Sequence, residues 1–235
     1  MTQTVLTWHG HACFEIQNEK RILIDPFITG NPKTDLTKEN VKADLVVVTH
    51  GHSDHLGDAV EIALGNGVPI VTMVELAWAL KKEFKDLLVE GINLSGGVTV
   101  SGVRVRSVIA VHSSSYKDQY VGSPMGVVIG DGFKIYHAGD TGVFRDMELI
   151  REVHHPNLSI LPIGGYYTMS PAEAQFAVSM LKSEYVVPMH YGTFPLISGN
   201  PEEFKELVDK TGVSRTIIAK VGVPIVFGSD GKLLE

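Results

Sequence analysis

The chain has 235 residues, 44% of them hydrophobic, which is enough for one sizeable core and does not require a second. Its formal net charge of −7 leaves no electrostatic footprint for a long polyanion, which disfavours nucleic acid as a partner. A single cysteine, Cys13, excludes an internal disulfide and fits a reducing compartment. Residues 1–17 lack the basic-then-apolar pattern of a signal peptide, and the apolar runs are too short to span a bilayer. The expectation is therefore one cytoplasmic domain over 1–235, away from membranes, acting on a small molecule and open to homo-oligomer formation.

The first half reads as short strands at Val5–Trp8, Cys13–Gln17 and Arg21–Ile24, followed by an apolar strand at Asp44–Thr49. Helical patterns occupy Asp58–Leu64 and Glu75–Phe84. Two long alternating stretches come next, Val98–Val111 and Met125–Tyr136. The second contains Gly130-Asp131-Gly132, a hairpin turn signal. Further on lie a strand at Ser159–Ile163, a buried strand at Tyr185–Met189 and a last strand at Ile217–Val226. Helix starts are written at Ser170-Pro171-Ala172-Glu173 and Asn200-Pro201-Glu202-Glu203, each a capping residue, a proline and a glutamate at the third helical position. The β-rich first half and mixed second half predict sheets covered by layers of helices.

Histidine carries the chemical signal. His50-Gly51-His52-Ser53-Asp54-His55 places four metal-ligating groups within six residues, and four such groups cannot all face an apolar core. The segment follows a strand and precedes a helical pattern, the position at which open sheets build ligand sites. The same position recurs at His112 after Val103–Val111, at Asp140 after Lys134–Tyr136, and at His190 after Tyr185–Met189. Five histidines and two carboxylates suit two metal ions with coordination positions left over for water and substrate. Taken singly, His112, His137 or His190 reads rather as a loop histidine bonded to its surroundings.

The His-x-His-x-Asp-His run at 50–55, with His112, Asp140 and His190 in order behind it, resembles the signature of the metallo-β-lactamase superfamily. The resemblance spans nearly the whole chain. It implies an α/β (α+β) fold, the four-layer αββα sandwich, and a metal-dependent hydrolase. It assigns His50, His52 and His112 to one ion and Asp54, His55 and His190 to a second, with Asp140 bridging. Asp25 resembles the family's early aspartate, which steadies the histidine loop; the alternative is a strand-end turn residue before Pro26. The segments Trp8-His9-Gly10-His11, His137-Ala138-Gly139-Asp140-Thr141-Gly142 and Pro188-Met189-His190-Tyr191 look like the "metal-dependent hydrolase" branch, related to ascorbate-6-phosphate lactonases and N-acyl-phosphatidylethanolamine phospholipases.

Two divalent ions roughly 3.5–4 Å apart lower the pKa of a water and polarise a substrate oxygen, so neither Cys13 nor Ser113-Ser114-Ser115 is needed as nucleophile. Zinc ranks first, with manganese, nickel and iron as the other ions this ligand set accepts. Asp54 both ligates and orients the attacking water, and the ions draw an anionic ester, phosphodiester or lactone. His11 is the candidate proton donor, or else a turn histidine bonded to backbone. Tyr116 and Lys117, close behind His112, and Tyr166 and Tyr167, behind Gly164-Gly165, are candidate substrate contacts; loop packing is the alternative for each. His9 and His137 read as structural, and His154-His155 as the end of a helix. The rival functions are a non-catalytic metal-binding protein and an RNA-cleaving phosphodiesterase.

Overall fold

The computed structural model describes residues 2–234. It opens with β1 (Thr4–Trp8), β2 (Phe14–Gln17), β3 (Arg21–Ile24) and β4 (Leu45–Val47). The histidine-rich segment folds as the short α1 (Ser53–Leu56), followed by α2 (Ala59–Asn66), β5 (Ile70–Met73), α3 (Val74–Glu83) and β6 (Val89–Ile92). Next come β7 (Gly97–Val100), β8 (Val103–Ile109), the small pair β9 (Ser115–Tyr116) and β10 (Gln119–Tyr120), then β11 (Met125–Ile129) and β12 (Ile135–His137). The chain closes with α4 (Met147–His154), β13 (Leu158–Pro162), α5 (Pro171–Leu181), β14 (Tyr185–Met189), α6 (Pro201–Asp209), β15 (Arg215–Thr216) and β16 (Ile225–Phe227).

Two seven-stranded sheets result, one ordered β16-β1-β2-β3-β4-β5-β6 and the other β15-β14-β13-β12-β11-β8-β7. The apolar core falls into three layers. Leu6, Phe14, Ile24 and Val47 of the first sheet meet Val105, Val127, Ile160 and Val187 of the second between the sheets. Ile62, Leu76 and Leu80 of α2 and α3 pack on the outer face of the first sheet against Leu23, Val46 and Ile70. Met147, Val178 and Phe204 of α4, α5 and α6 cover the second against Val128, Tyr136 and Val186. A strand with one face to each layer must be apolar on both, which is why β4, β5, β11, β13 and β14 are buried along their whole length. This is the expected αββα sandwich.

The expected caps form. At α5 the Ser170 side chain accepts from the Glu173 N–H while Glu173 reaches back to the Ser170 N–H. At α6 Asn200 accepts from the N–H groups of Glu202 and Glu203. Met125–Tyr136 is the expected hairpin, with Gly130 at φ +95°.

Two expectations need correction. Val98–Val111 is a hairpin of β7 and β8 rather than one stretch, because Ser101 and Gly102 both adopt positive φ, at 52° and 81°. Ile217–Val226 is not one strand. Arg215–Thr216 extends the second sheet and Ile225–Phe227 the first, and the residues between them, with Gly222 at φ +71° and the N–H-less Pro224, cross over. Strands β5 and β6, at the end of the first sheet, were not anticipated.

Register fixes where the chemistry can sit. Trp8 pairs with Phe14 and Phe14 with Ile24, while Ile24 and Val47 lie side by side. The loops that leave β1, β3 and β4 therefore emerge at one edge of the first sheet. In the second sheet Ile109 pairs with Met125, Val127 with His137, His137 lies beside Ile160, and Pro162 beside Met189. The ends of β8, β12, β13 and β14 thus share one edge as well. Among the described residues no helix is long and apolar enough to cross a membrane.

Candidate metal centre

The loop after β4 is shaped by glycine and aspartate before it is shaped by histidine. A Cβ on Gly51 would lie 2.7 Å from the Ser115 carbonyl oxygen and 2.8 Å from Val121 Cγ2, so the chain passes there only without a side chain. Gly57, at φ +43°, presses on the Pro26 carbonyl, which a Cβ would approach to 2.4 Å. Between these points α1 turns Asp54 and His55 inward, with the His55 and Leu56 N–H groups both donating to the His52 carbonyl. Asp25, wholly buried at the end of β3, accepts from Thr49 N–H (2.8 Å), Thr49 Oγ1 (2.7 Å) and His55 Nδ1 (2.8 Å). The backbone is held against preference at three points here. Asp25, His11 and His190 adopt φ values of 45°, 57° and 57°, and such outliers concentrate at sites where the surroundings over-determine geometry.

The seven residues named by the signature converge. His50, His52 and His112 offer ligand atoms within 4.8 Å of one another, and so do His50, His55 and Asp140. Asp54, His55 and His190 form a third group, and His11 joins it. Asp140 stands among all of them. Its Oδ1 is 3.2 Å from His55 Nε2, and its Oδ2 is 3.1 Å from His190 Nε2 and 3.6 Å from His112 Nε2. Each strand-end loop contributes from its own side, the first sheet through 50–55 and the second through His112, Asp140 and His190.

The electrostatics are those of a densely charged, largely buried site. Burial would raise the Asp140 carboxyl, but the His190 and His55 imidazoles hold it well below the usual carboxylate range. Burial would lower His190, but Asp140 and Asp54 bring it up to about 9. His55 is likewise raised by Asp140 and Asp25 against the pull of burial. His50 is driven well below the ordinary histidine value by burial and by the neighbouring His55 charge, against the pull of Asp140. Burial also opposes ionisation of Asp54, yet the His11 hydrogen bond and the His190 imidazole 3.8 Å away keep its carboxyl far below the ordinary range.

This donor set fits divalent metal ions. His55 Nε2, Asp140 Oδ1 and His190 Nε2 are buried with no hydrogen-bond partner, and all three are aimed into the cluster. A buried polar atom without a partner costs about 1–3 kcal/mol, and a cation between such atoms would offset that cost. The imidazole and carboxylate groups are those that zinc and its neighbours take.

The other singled-out residues sort clearly. Tyr116 and Lys117, on the β9–β10 turn, line a cavity of about 520 Å³ together with His52, Ser53, Asp54 and Asp118. The Lys117 ammonium and the Tyr116 hydroxyl both bond to Glu83 of α3. Tyr166 and Tyr167 stand exposed, edge to face with each other at 4.7 Å, outside that cavity. His11 is fully buried, bonded to Asp54 and Thr193, and burial lowers it to about 4. His9 is bonded to Asp35, and His137 joins the Ala12 carbonyl and the Gly139 N–H, so both are tied into structure. The contributions of Thr49, Thr193 and Asp58 were not anticipated. Asp58 anchors the 28–29 backbone by accepting from Ile28 and Thr29. Of the three, only Asp58 carried a sequence signal, as the acidic residue closing the histidine motif.

Comparison with known proteins gives the family. A family model described as a β-lactamase superfamily domain matches residues 5–190. A UPF0173 metal-dependent hydrolase of Thermoplasma volcanium is 47% identical over 220 residues, covering 94% of this chain and 97% of that protein. A UPF0173 metal-dependent hydrolase of Thermococcus onnurineus is 52% identical, covering 91% and 95%. Among solved structures, the metallo hydrolase Igni18 of Ignicoccus hospitalis superposes with a TM-score of 0.88 at 39% identity, over 96% of this chain and 99% of that one. The chain belongs to the metallo-β-lactamase superfamily, among its UPF0173 metal-dependent hydrolases, and is a metal-dependent hydrolase.

Proposed function

We propose that His50, His52 and His112 hold one divalent ion and Asp54, His55 and His190 a second, with Asp140 shared. Zinc is the first choice of metal. The reaction is hydrolysis of a small anionic ester, phosphodiester or lactone. The observation that carries the two-ion reading is the set of buried atoms on His55, Asp140 and His190 that face one another without hydrogen bonds, converging from loops of both sheets.

Bound ions of this kind supply a water that ionises near neutral pH and a Lewis acid for the substrate oxygen. The chain supplies the rest. Asp54, the most open carboxylate of the cluster with 28% of its side chain exposed, borders the cavity and orients the attacking water by accepting a hydrogen bond from it. Asp25 keeps the His55 ring from turning, and Thr49 joins Asp25 to His50. Lys117 places an ammonium at the cavity wall, where the negative part of a substrate would rest.

The test is turnover of bis(p-nitrophenyl) phosphate, and of a lactone and a carboxylate-bearing ester, by protein loaded with zinc or manganese. Chelated protein and Asp140→Ala serve as controls. Metal-dependent turnover of one of these, at least about 100-fold lower in both controls, is expected. Turnover undiminished in Asp140→Ala would overturn the proposal.

A further inference from the structure

We infer that His11 is itself a metal ligand, completing the site of Asp54, His55 and His190. This rests on the two-ion reading above and extends its ligand set.

Four observations point there. First, His11 Nε2 lies 3.1 Å from Asp54 Oδ2, and the ligand atoms of His11, Asp54, His55 and His190 all fall within 4.8 Å of one another. Two ligands on one ion at bond lengths of about 2.0–2.2 Å sit about 3–3.5 Å apart, so the His11–Asp54 spacing suits a shared cation. Second, Thr193 Oγ1 bonds His11 Nδ1 at 3.0 Å and leaves Nε2 facing the cluster. Within the same molecule Thr49 Oγ1 bonds His50 Nδ1 at 3.1 Å and Asp25 bonds His55 Nδ1 at 2.8 Å. Holding the far ring nitrogen is how proteins aim a ligating imidazole, and His11 is held in the same way as two residues of the proposed set.

Third, His11 is locked in place. Its carbonyl accepts from the His190 N–H at 3.0 Å and from Trp8 Nε1 at 2.9 Å, its φ is +57°, and its ring lies 4.0 Å from that of His190. The Gly10-His11 turn is therefore built together with the His190 loop although His11 and His190 lie 179 positions apart in sequence. Fourth, His11 has no exposed surface, whereas Asp54 beside it borders the cavity. A proton donor has to reach the leaving group, and a fully covered imidazole behind a ligating carboxylate does not.

The decisive experiment uses the wild-type chain, labelled with ¹⁵N-histidine and loaded with ¹¹³Cd. Nuclear magnetic resonance then counts the imidazoles that show metal–nitrogen coupling. Two bound ions with six coupled imidazoles, the five histidines of the proposed set plus His11, are expected. His11→Gln should remove one coupled imidazole and weaken retention of one ion roughly 100-fold against a competing chelator, and Thr193→Val should weaken the same ion roughly tenfold. Two ions with five coupled imidazoles, the same five in His11→Gln, would overturn the ligand role of His11 while leaving the two-ion centre standing. A wild-type chain that binds a single ion or none would overturn the two-ion reading and this inference with it.

Discussion

Asp25 shows how a buried carboxylate acts without touching substrate. It has no exposed surface and takes three hydrogen bonds, two from Thr49 and one from His55, so it fixes both ends of the histidine loop. Asp25→Asn keeps the shape and removes the charge that draws the His55 Nδ1 proton. Metal affinity, measured by competition with a chromophoric chelator, should fall about 10–100-fold, with folding preserved by circular dichroism. An unchanged affinity would reduce Asp25 to a turn residue. Cys13 is the opposite case. Burial first, and the nearby Asp25 charge second, push its thiol well above the ordinary cysteine value. The native protein should therefore fail to react with a disulfide reagent at pH 8, then release one thiol equivalent per chain in guanidinium. Rapid labelling of the native form would contradict the packing described.

At the scale of elements, the β9–β10 hairpin sets the floor of the cavity beside His52 and Asp54. Its turn residues, Lys117 and Asp118, both hold positive φ, at 51° and 60°, as a two-residue hairpin turn demands. Glu83 of α3 clasps it through Lys117 and Tyr116, so the ammonium is shared between the helix and the cavity. For an anionic substrate Lys117→Ala should raise KM about tenfold with kcat little changed, the equivalent of one charge-assisted hydrogen bond. An equal loss on a neutral substrate would assign Lys117 to holding the hairpin alone. This hairpin is also where sequence reading reached its limit. The helix starts at Ser170 and Asn200 and the turn at Gly130 were legible because each depends on a few neighbouring residues. The turn at 117–118 was not, because no glycine or asparagine marks it. The crossover at 217–224 was missed for a related reason: its alternating apolar residues serve two sheets in turn, and only tertiary pairing distinguishes that from one strand.

At the scale of the whole molecule, the site joins the edges of two sheets, and the metal ions would be cross-links between them. The seven proposed ligands were legible in sequence because a short motif and repeated strand-end positions announce them. Thr193 and the partnership of His11 with His190 were not, since they depend on how the two sheets are set against each other. Removing the metal should therefore lower Tm, and the size of the drop should depend on pH in a definite sense. In the stripped protein Asp140 remains between His55 and His190, raising both, His190 to about 9. A histidine whose folded pKa lies above its unfolded value near 6.5 contributes stability that is fully present below that value and is lost as pH rises through the folded pKa. His11 and His50, lowered by burial, are neutral in both states above pH 6.5 and add nothing to the slope in that window. The stripped protein should thus lose stability steadily between about pH 6.5 and 9. The metal-loaded protein, whose ligands are already deprotonated, should not. The difference in Tm between the two forms, followed by calorimetry, should widen across that interval and should widen less in His190→Gln reconstituted and stripped in parallel. A gap that is constant or narrows toward pH 9 would mean that the Asp140–histidine cluster carries no net proton in the stripped fold, and that the two sheet edges are held by packing alone.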